Sequence, residues 1–217
     1  MRIVLFGAPG TGKGTQASIL AERRNWRHIS TGAMFREAIR ARTPHGRMAQ
    51  EYVRRGWLVP DEFARDIAEE ALLEIGLDRF VLDGYPRTVV QAQWLSEFLE
   101  AHNTSLNVVI AMELCINDII ERLSMRRMHR LTGEHYHLAF KPPPADVDPD
   151  LIVQRQDDRP DAIRNRIEGY WEATRPVVDY YREQGIIVDV DAGGTLEEVY
   201  ARIEDVLAQA AFGTETV

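Results

Sequence analysis

The chain has 217 residues, a formal net charge of −8 and a hydrophobic fraction of 45% with 8% aromatic residues, the make-up of a globular protein with one main domain and room for insertions. No uninterrupted apolar stretch reaches membrane-spanning length, and the acidic balance argues against a broad basic face for nucleic acid. Cys115 is the single cysteine, which excludes an intrachain disulfide and a cysteine zinc site and points to a reducing, cytoplasmic setting; Cys115 itself reads as a small buried hydrophobe at a strand end.

Met1 to Phe6 has the length and flanks of a buried parallel strand, so the chain's start reads as structure rather than as a signal peptide. It runs into Gly7-Ala8-Pro9-Gly10-Thr11-Gly12-Lys13-Gly14-Thr15, and from Lys13 the pattern turns helical through Ala17, Leu20 and Ala21. A phosphate placed between strand and helix meets uncovered backbone N–H groups, the positive end of the helix dipole and the Lys13 ammonium. Gly7-x4-Gly12-Lys13 fits the P-loop pattern, but Gly14 follows the lysine and the Thr15 hydroxyl comes one place late. An Mg2+ ion here would be held more loosely, partly through water and the substrate's phosphates, which favours a small phosphoryl-transfer enzyme over a motor or switch. Of 26 basic residues only Lys13 and Lys141 are lysine; at position 13 a compact ammonium reaches between phosphates where a planar guanidinium does not fit.

Further strands are expected at Phe80-Val81-Leu82, Val108 to Met112 and Ile186-Ile187-Val188, with a weaker one near His28-Ile29, alternating with amphipathic helical stretches. That order reads as a parallel sheet with helices on both faces. Residues 30–59, short helical pieces broken by Thr43-Pro44 and Gly56, and residues 125–158, rich in polar, aromatic and proline residues, interrupt the alternation and read as lids. The tail from Gly213 to Val217 is expected to fray. Asp83-Gly84-Tyr85-Pro86-Arg87-Thr88 follows a strand: Asp83 stands where it can organise metal-bound water, and Arg87 can clamp a phosphate with two donors. Arg122 and Arg126 are four apart and are expected on one helical face, aimed at one ligand. Any single arginine could instead pair with Glu113, Glu121, Asp157 or Asp158.

With these motifs, Ser30-Thr31-Gly32, Leu58-Val59-Pro60-Asp61-Glu62 and Arg155-Gln156-Asp157-Asp158 complete a set whose order resembles the adenylate kinases of the bacterial long-lid type over essentially the whole chain. The resemblance implies an α/β fold with a P-loop NTPase-type core: a five-stranded parallel sheet flanked by helices, with an AMP-binding insertion at 30–59 and a long lid at 125–158, and the core at 1–29, 60–124 and 159–217. It implies the reaction ATP + AMP ⇌ 2 ADP with Mg2+ in a cytoplasmic, monomeric enzyme without nucleic-acid or membrane partners. Carried over, the AMP site falls on Thr31, Arg36, Trp57, Leu58, Val59, Gly84, Tyr85, Pro86, Arg87 and Gln91. The donor site falls on Gly10, Thr11, Gly12, Lys13, Gly14, Thr15, Arg122, Arg126, His135, Tyr136 and Gly194. Arg155 and Arg166 match the arginines that reach the transferring phosphates, and Mg2+ is expected on the nucleotide, through water to Asp83 and near Thr15.

Two departures stand out. Ala33 replaces an aspartate that commonly follows Ser-Thr-Gly, leaving more of the Mg2+ water shell to Asp83. The lid lacks the four cysteines that bind zinc in many relatives and offers His129, Thr132, Asp146 and Asp148, expected to form two hydrogen-bonding pairs in place of the metal; a His/Asp metal site is the alternative. No general base is assigned, because the AMP phosphate is already an anionic nucleophile. A GTP donor, a UMP or CMP acceptor, and a regulator without catalysis stay open as alternatives; the adenine edge suits the donor and acceptor of Gln91.

Overall fold

The computed structural model describes residues 1–213. Its elements, in chain order, are β1 (Arg2–Gly7), α1 (Lys13–Arg24), β2 (Arg27–Ser30), α2 (Thr31–Arg40), α3 (Pro44–Arg55), α4 (Asp61–Ile75), β3 (Phe80–Asp83), α5 (Val89–Ala101), β4 (Val108–Glu113), α6 (Ile116–Met125), β5 (Arg126–His129), β6 (His135–His137), β7 (Ile152–Val153), α7 (Pro160–Gly169), α8 (Arg175–Glu183), β8 (Ile187–Asp191) and α9 (Leu196–Gly213). The main sheet has five strands in the order β2-β3-β1-β4-β8, all parallel.

Both faces of this sheet are covered, and β1 shows why its sequence is continuously apolar. Val4 and Phe6 join a core with α4, α5 and α8, while Ile3 and Leu5 join a second core with α1 and α9. A strand buried on both sides has no polar face to alternate with. The central position of β1 brings the loop after Gly7 to the C-terminal edge of the sheet, where β3 delivers Asp83 and β2 delivers Ser30. Ligands of open α/β sheets bind at that edge.

Residues 30–59 fold as two packed helices. Thr43 caps α3 by accepting from the Gly46 N–H at 3.0 Å, and Gly56 ends it in the left-handed region at φ 74°. A Cβ at Gly46 would lie 2.0 Å from the Ala38 carbonyl oxygen, so glycine sets how closely α2 and α3 cross. The 125–158 segment carries a small antiparallel sheet, β6-β5-β7, built from polar strands that the sequence reading did not assign.

Four expectations need correction. Cys115 is exposed at the residue preceding α6 rather than filling the core. Arg126 does not continue α6: the helix ends at Met125, and Arg126 turns extended into β5, so Arg122 and Arg126 share no helical face. The edge strand β8 begins one residue late and runs on to Asp191. In the lid, His129 accepts from the Thr132 backbone N–H at 3.1 Å and Asp148 from the Asp150 N–H at 3.0 Å. These contacts close local turns, and among the described residues no two side chains of His129, Thr132, Asp146 and Asp148 are joined; strand pairing holds the 125–158 segment together. Of the tail expected to fray, all but Gly213 lies outside the described residues.

Candidate active site

The loop between β1 and α1 turns on glycines: Gly7, Gly10 and Gly12 have φ of 142°, 88° and 96°. At Gly7 a Cβ would meet the Met112 carbonyl oxygen at 2.4 Å. The buried Thr11 hydroxyl ties the loop by donating to the Ala8 carbonyl at 3.0 Å, and Lys13 Nζ donates to the Gly7 and Ala8 carbonyls, both at 2.8 Å. Lys13 is thus folded back across the loop. Burial lowers its pKa to about 7; Asp83 opposes that shift, and Arg87, Arg166 and Arg126 add to it.

Asp83 closes one side of this loop. Its Oδ2 accepts from the Ser30 hydroxyl at 3.2 Å and lies 3.1 Å from where a Cβ on Gly14 would sit, so a side chain after Lys13 would press the carboxylate back by a few tenths of an ångström. Thr15, the residue after Gly14, is exposed. Asp83, Ser30 and Thr15 are hard oxygen donors and suit Mg2+ held through water. Among the described residues no group of three or more His, Cys, Asp or Glu is placed to hold an ion, so the nucleotide's phosphates would have to supply ligands.

On the β3 side, Gly84 at φ 85° lets its carbonyl accept from Thr31 Oγ1 and from Arg87 Nε, each at 2.8 Å. The following Tyr85-Pro86 bond is cis. Buried Gln91 accepts from the Arg87 N–H at 2.7 Å and donates to Asp61 Oδ1 at 2.8 Å, and Asp61 Oδ2 accepts from Thr88 at 3.0 Å. The Gln91 amide therefore has one donor hydrogen and one acceptor lone pair beyond those its neighbours use. Asp61, the first residue of α4, fixes that amide. Its place in the 58–62 motif was visible in the sequence; its bond to a side chain thirty residues away was not.

Residues from three other elements converge on the same edge. Arg126 pairs with Asp158 through two bonds of 2.7 and 2.5 Å, Arg155 grips Asp157 with two donors, and Arg166 reaches Asp158 at 2.9 Å and Asp157 at 3.5 Å. The pairing partners left open for these arginines are thus Asp157 and Asp158. Burial tends to raise the Asp157 pKa, yet Arg155 and Arg166 hold it well below the usual carboxylate range. Burial, followed by Arg155, presses Arg36 down; burial presses Arg126 down as well, with Arg155 adding to it. His135 is lowered to about 4, first by burial and then by Arg155, Arg126 and Arg36, which leaves its ring neutral among cations.

Other sequence-assigned residues lie apart from this cluster. Arg122 donates to the Ala192 carbonyl at 3.1 Å, two residues before Gly194, which has φ 96°. Buried Tyr136 turns its hydroxyl to Glu134 at 2.9 Å, with Lys141 over its ring. Trp57 is exposed under the Arg55 guanidinium, 4.6 Å from the ring centroid, and Leu58 and Val59 are half-buried.

A glycine loop between a central parallel strand and a helix, facing an aspartate and clustered arginines, defines a P-loop phosphotransferase of the nucleotide monophosphate kinase class. A family model described as Adenylate kinase matches residues 5–186, and the chain belongs to that family. It is similar to the adenylate kinase of Salinibacter ruber, with 51% identity over 95% of this chain and 98% of that protein. Adenylate kinases of Clostridium botulinum strain 657, 39% identical over 96% of this chain and 99% of that protein, and of Streptococcus sanguinis, 40% identical over 95% and 98%, are similar too. No helix among the described residues is long and apolar enough to cross a membrane.

Proposed function

We propose that this chain transfers the γ-phosphoryl group of ATP to AMP, giving two ADP, reversibly and without a covalent intermediate. One observation carries the reading: Lys13, Arg36, Arg87, Arg126, Arg155 and Arg166 crowd one another at the sheet edge, with Asp83, Asp157 and Asp158 against them. Such a cluster carries excess positive charge that two polyanionic nucleotides would neutralise.

In this reading an oxygen of the AMP phosphate attacks the γ-phosphorus, a new P–O bond forms, and the bond to the β-phosphate oxygen breaks. AMP brings its own negative charge, so no side chain has to remove a proton. The residues position the reactants and offset repulsion. Lys13 and the loop amides from Gly10 to Thr15 hold the donor phosphates, with Arg122, His135, Tyr136 and the backbone near Gly194 along the rest of the donor. Thr31, Arg36, Trp57 to Val59, Gly84 to Arg87 and Gln91 hold AMP, while Arg126, Arg155 and Arg166 follow the transferring group. Mg2+, carried on the nucleotide near Asp83, Ser30 and Thr15, supplies charge neutralisation when bound. Residues 30–59 are the AMP-binding insertion and 125–158 the lid, on a core of 1–29, 60–124 and 159–217. A monomer in a reducing, cytoplasmic compartment fits the lone cysteine.

A coupled assay with ATP and AMP as sole nucleotides, repeated with GTP as donor and with UMP and CMP as acceptors, tests the reading. Turnover is expected with ATP and AMP. Preference for another pair would reassign the substrates, and no turnover with any pair would leave a nucleotide-binding regulator.

A further inference from the structure

A second cationic cavity lies on the seam between α3 and α7. Its volume is about 260 Å³ and it is lined by Arg54, Arg55, Arg159, Asp161, Ala162 and Asn165, none of which belongs to the phosphate-facing set described above. Arg54 and Arg55 share one carboxylate: Glu51 accepts from Arg54 at 2.8 and 2.7 Å and from Arg55 Nε through the same Oε1. The Arg159 side chain caps nothing and, among the described residues, forms no ion pair or side-chain hydrogen bond. Asn165 Nδ2 donates to the Arg55 carbonyl at 2.8 Å, leaving its second amide hydrogen uncommitted. Asp161 and Ala162, in the first turn of the ten-residue helix α7, line the same space, which brings the positive end of the helix dipole to it.

We propose that this cavity is an anion site for a diphosphate group. Three arginines line the cavity against two carboxylates, Asp161 in its wall and Glu51 beside it, and planar forks of donors match phosphate oxygens with paired hydrogen bonds. The cavity's volume, about 260 Å³, lies just below the range typical of drug-sized ligands and is room enough for a diphosphate. Its walls come from both sides of a tight seam: a Cβ on Gly56, at the end of α3, would lie 2.4 Å from the Ala162 carbonyl oxygen of α7. An anion held by Arg54 and Arg55 on one side and Arg159 on the other therefore ties α3 to α7 and favours the arrangement in which they touch.

The test is a titration of the full chain with inorganic pyrophosphate, read by nuclear magnetic resonance at the Arg159 Nε–H and the Asn165 side-chain amide. It is run with and without a bisubstrate mimic of two adenosines joined by five phosphates. Saturable shifts at both groups are expected in both arms, because the mimic occupies the other site. Binding of the mimic is read separately at Gly12 and Gly84, so failure of the proposed reaction and failure of the anion site are distinguishable. Arg159→Ala, which removes an exposed side chain without partners, should weaken pyrophosphate about tenfold or more, the usual scale for a lost charge-assisted bond. Glu51→Gln should tighten it by freeing two guanidiniums. Orthophosphate and ADP on the mimic-saturated protein separate free phosphate from a nucleotide tail as the source; saturable shifts with either support the site. Absence of saturable shifts at Arg159 and Asn165, their loss when the mimic binds, or equal affinity in Arg159→Ala overturns it.

Discussion

Arg126 and Asp158 lie side to side, with Nε to Oδ2 at 2.7 Å and the terminal nitrogen to Oδ1 at 2.5 Å, and the Asp158 side chain has no exposed surface. Asp158 also accepts from Arg166. One buried carboxylate thus fixes an arginine of β5 and an arginine of α7. Neighbouring Asp157 does the same for Arg155. The two acids act as a frame that holds repelling cations at fixed positions before any nucleotide arrives.

Asp158→Asn is expected to destabilise the protein by about 3–5 kcal/mol, the usual cost of removing one partner from a buried ion pair. The variant should regain more stability from the five-phosphate mimic than the parent does, because the mimic replaces missing negative charge. Thermal unfolding with and without the mimic measures both effects. Asp157 adds an acid limb. Its folded-state pKa lies below its unfolded value, so its contribution is complete above the ordinary carboxylate value of about 3.9 and is lost as pH falls further.

Lys13, with a pKa of about 7 in the ligand-free protein, should be largely neutral at pH 8 and charged once phosphates surround it. Binding of the mimic at pH 8 is then expected to take up close to one proton. Calorimetry in buffers of differing ionisation heat measures this, and Lys13→Met should abolish the uptake while slowing turnover on the order of a hundred- to thousand-fold. For folding the sign runs the other way. The unfolded chain binds this proton up to about pH 10.4, so between about 7 and that value the residue's contribution to stability rises with pH.

Much of this was readable before any coordinates. The doubly buried strands, such as β1 and β3, and the phosphate loop stood out because apolar runs ended at glycine or aspartate. The lid sheet did not, because Arg126-Arg127-Met128-His129 has no apolar face and pairs through its backbone in a segment too small to bury one. Arg126 was misplaced for the same reason: four-residue spacing from Arg122 mimics a helical face, and only the turn at Met125 breaks it. At β8 the end of the strand was not legible because exposed Asp189 and Asp191 flank buried Val190 on an edge strand and break the apolar run. Asp157 and Asp158 were in view as a pair, but sequence spacing cannot say which of several arginines each one holds.

Asp61 is expected to act as a positioning residue for Gln91. Removing its carboxylate leaves the Gln91 amide free to rotate, so Asp61→Ala should raise KM for AMP more than KM for ATP and reduce discrimination between AMP and other monophosphates. The lost side-chain bond is worth on the order of 1–3 kcal/mol, or about five- to a hundred-and-fifty-fold in that preference. Acceptor kinetics with AMP, UMP and CMP check it. An equal change for all three acceptors, with stability alone reduced, would assign Asp61 to folding only.

The β5–β6 turn rests on α2. Arg40 of α2, which also pairs with Glu37, donates to the Leu131 carbonyl at 2.7 Å, ninety-one residues along the chain. This bond involves no residue of the phosphate cluster, and it joins directly the two segments proposed to close over the nucleotides. Both ends are exposed, so it contributes only about 1 kcal/mol or less. That is still several-fold in an equilibrium between touching and separated states. Arg40→Ala should therefore lengthen the mean distance between labels on α3 and on the β5–β6 turn, and weaken the mimic a few-fold. The ATP affinity of the core should be little changed. Where lid opening limits product release, turnover should rise. Single-molecule distance measurements across the two segments read the closure directly. Unchanged distances together with unchanged mimic affinity would mean that Arg40 touches Leu131 without helping to hold the segments closed.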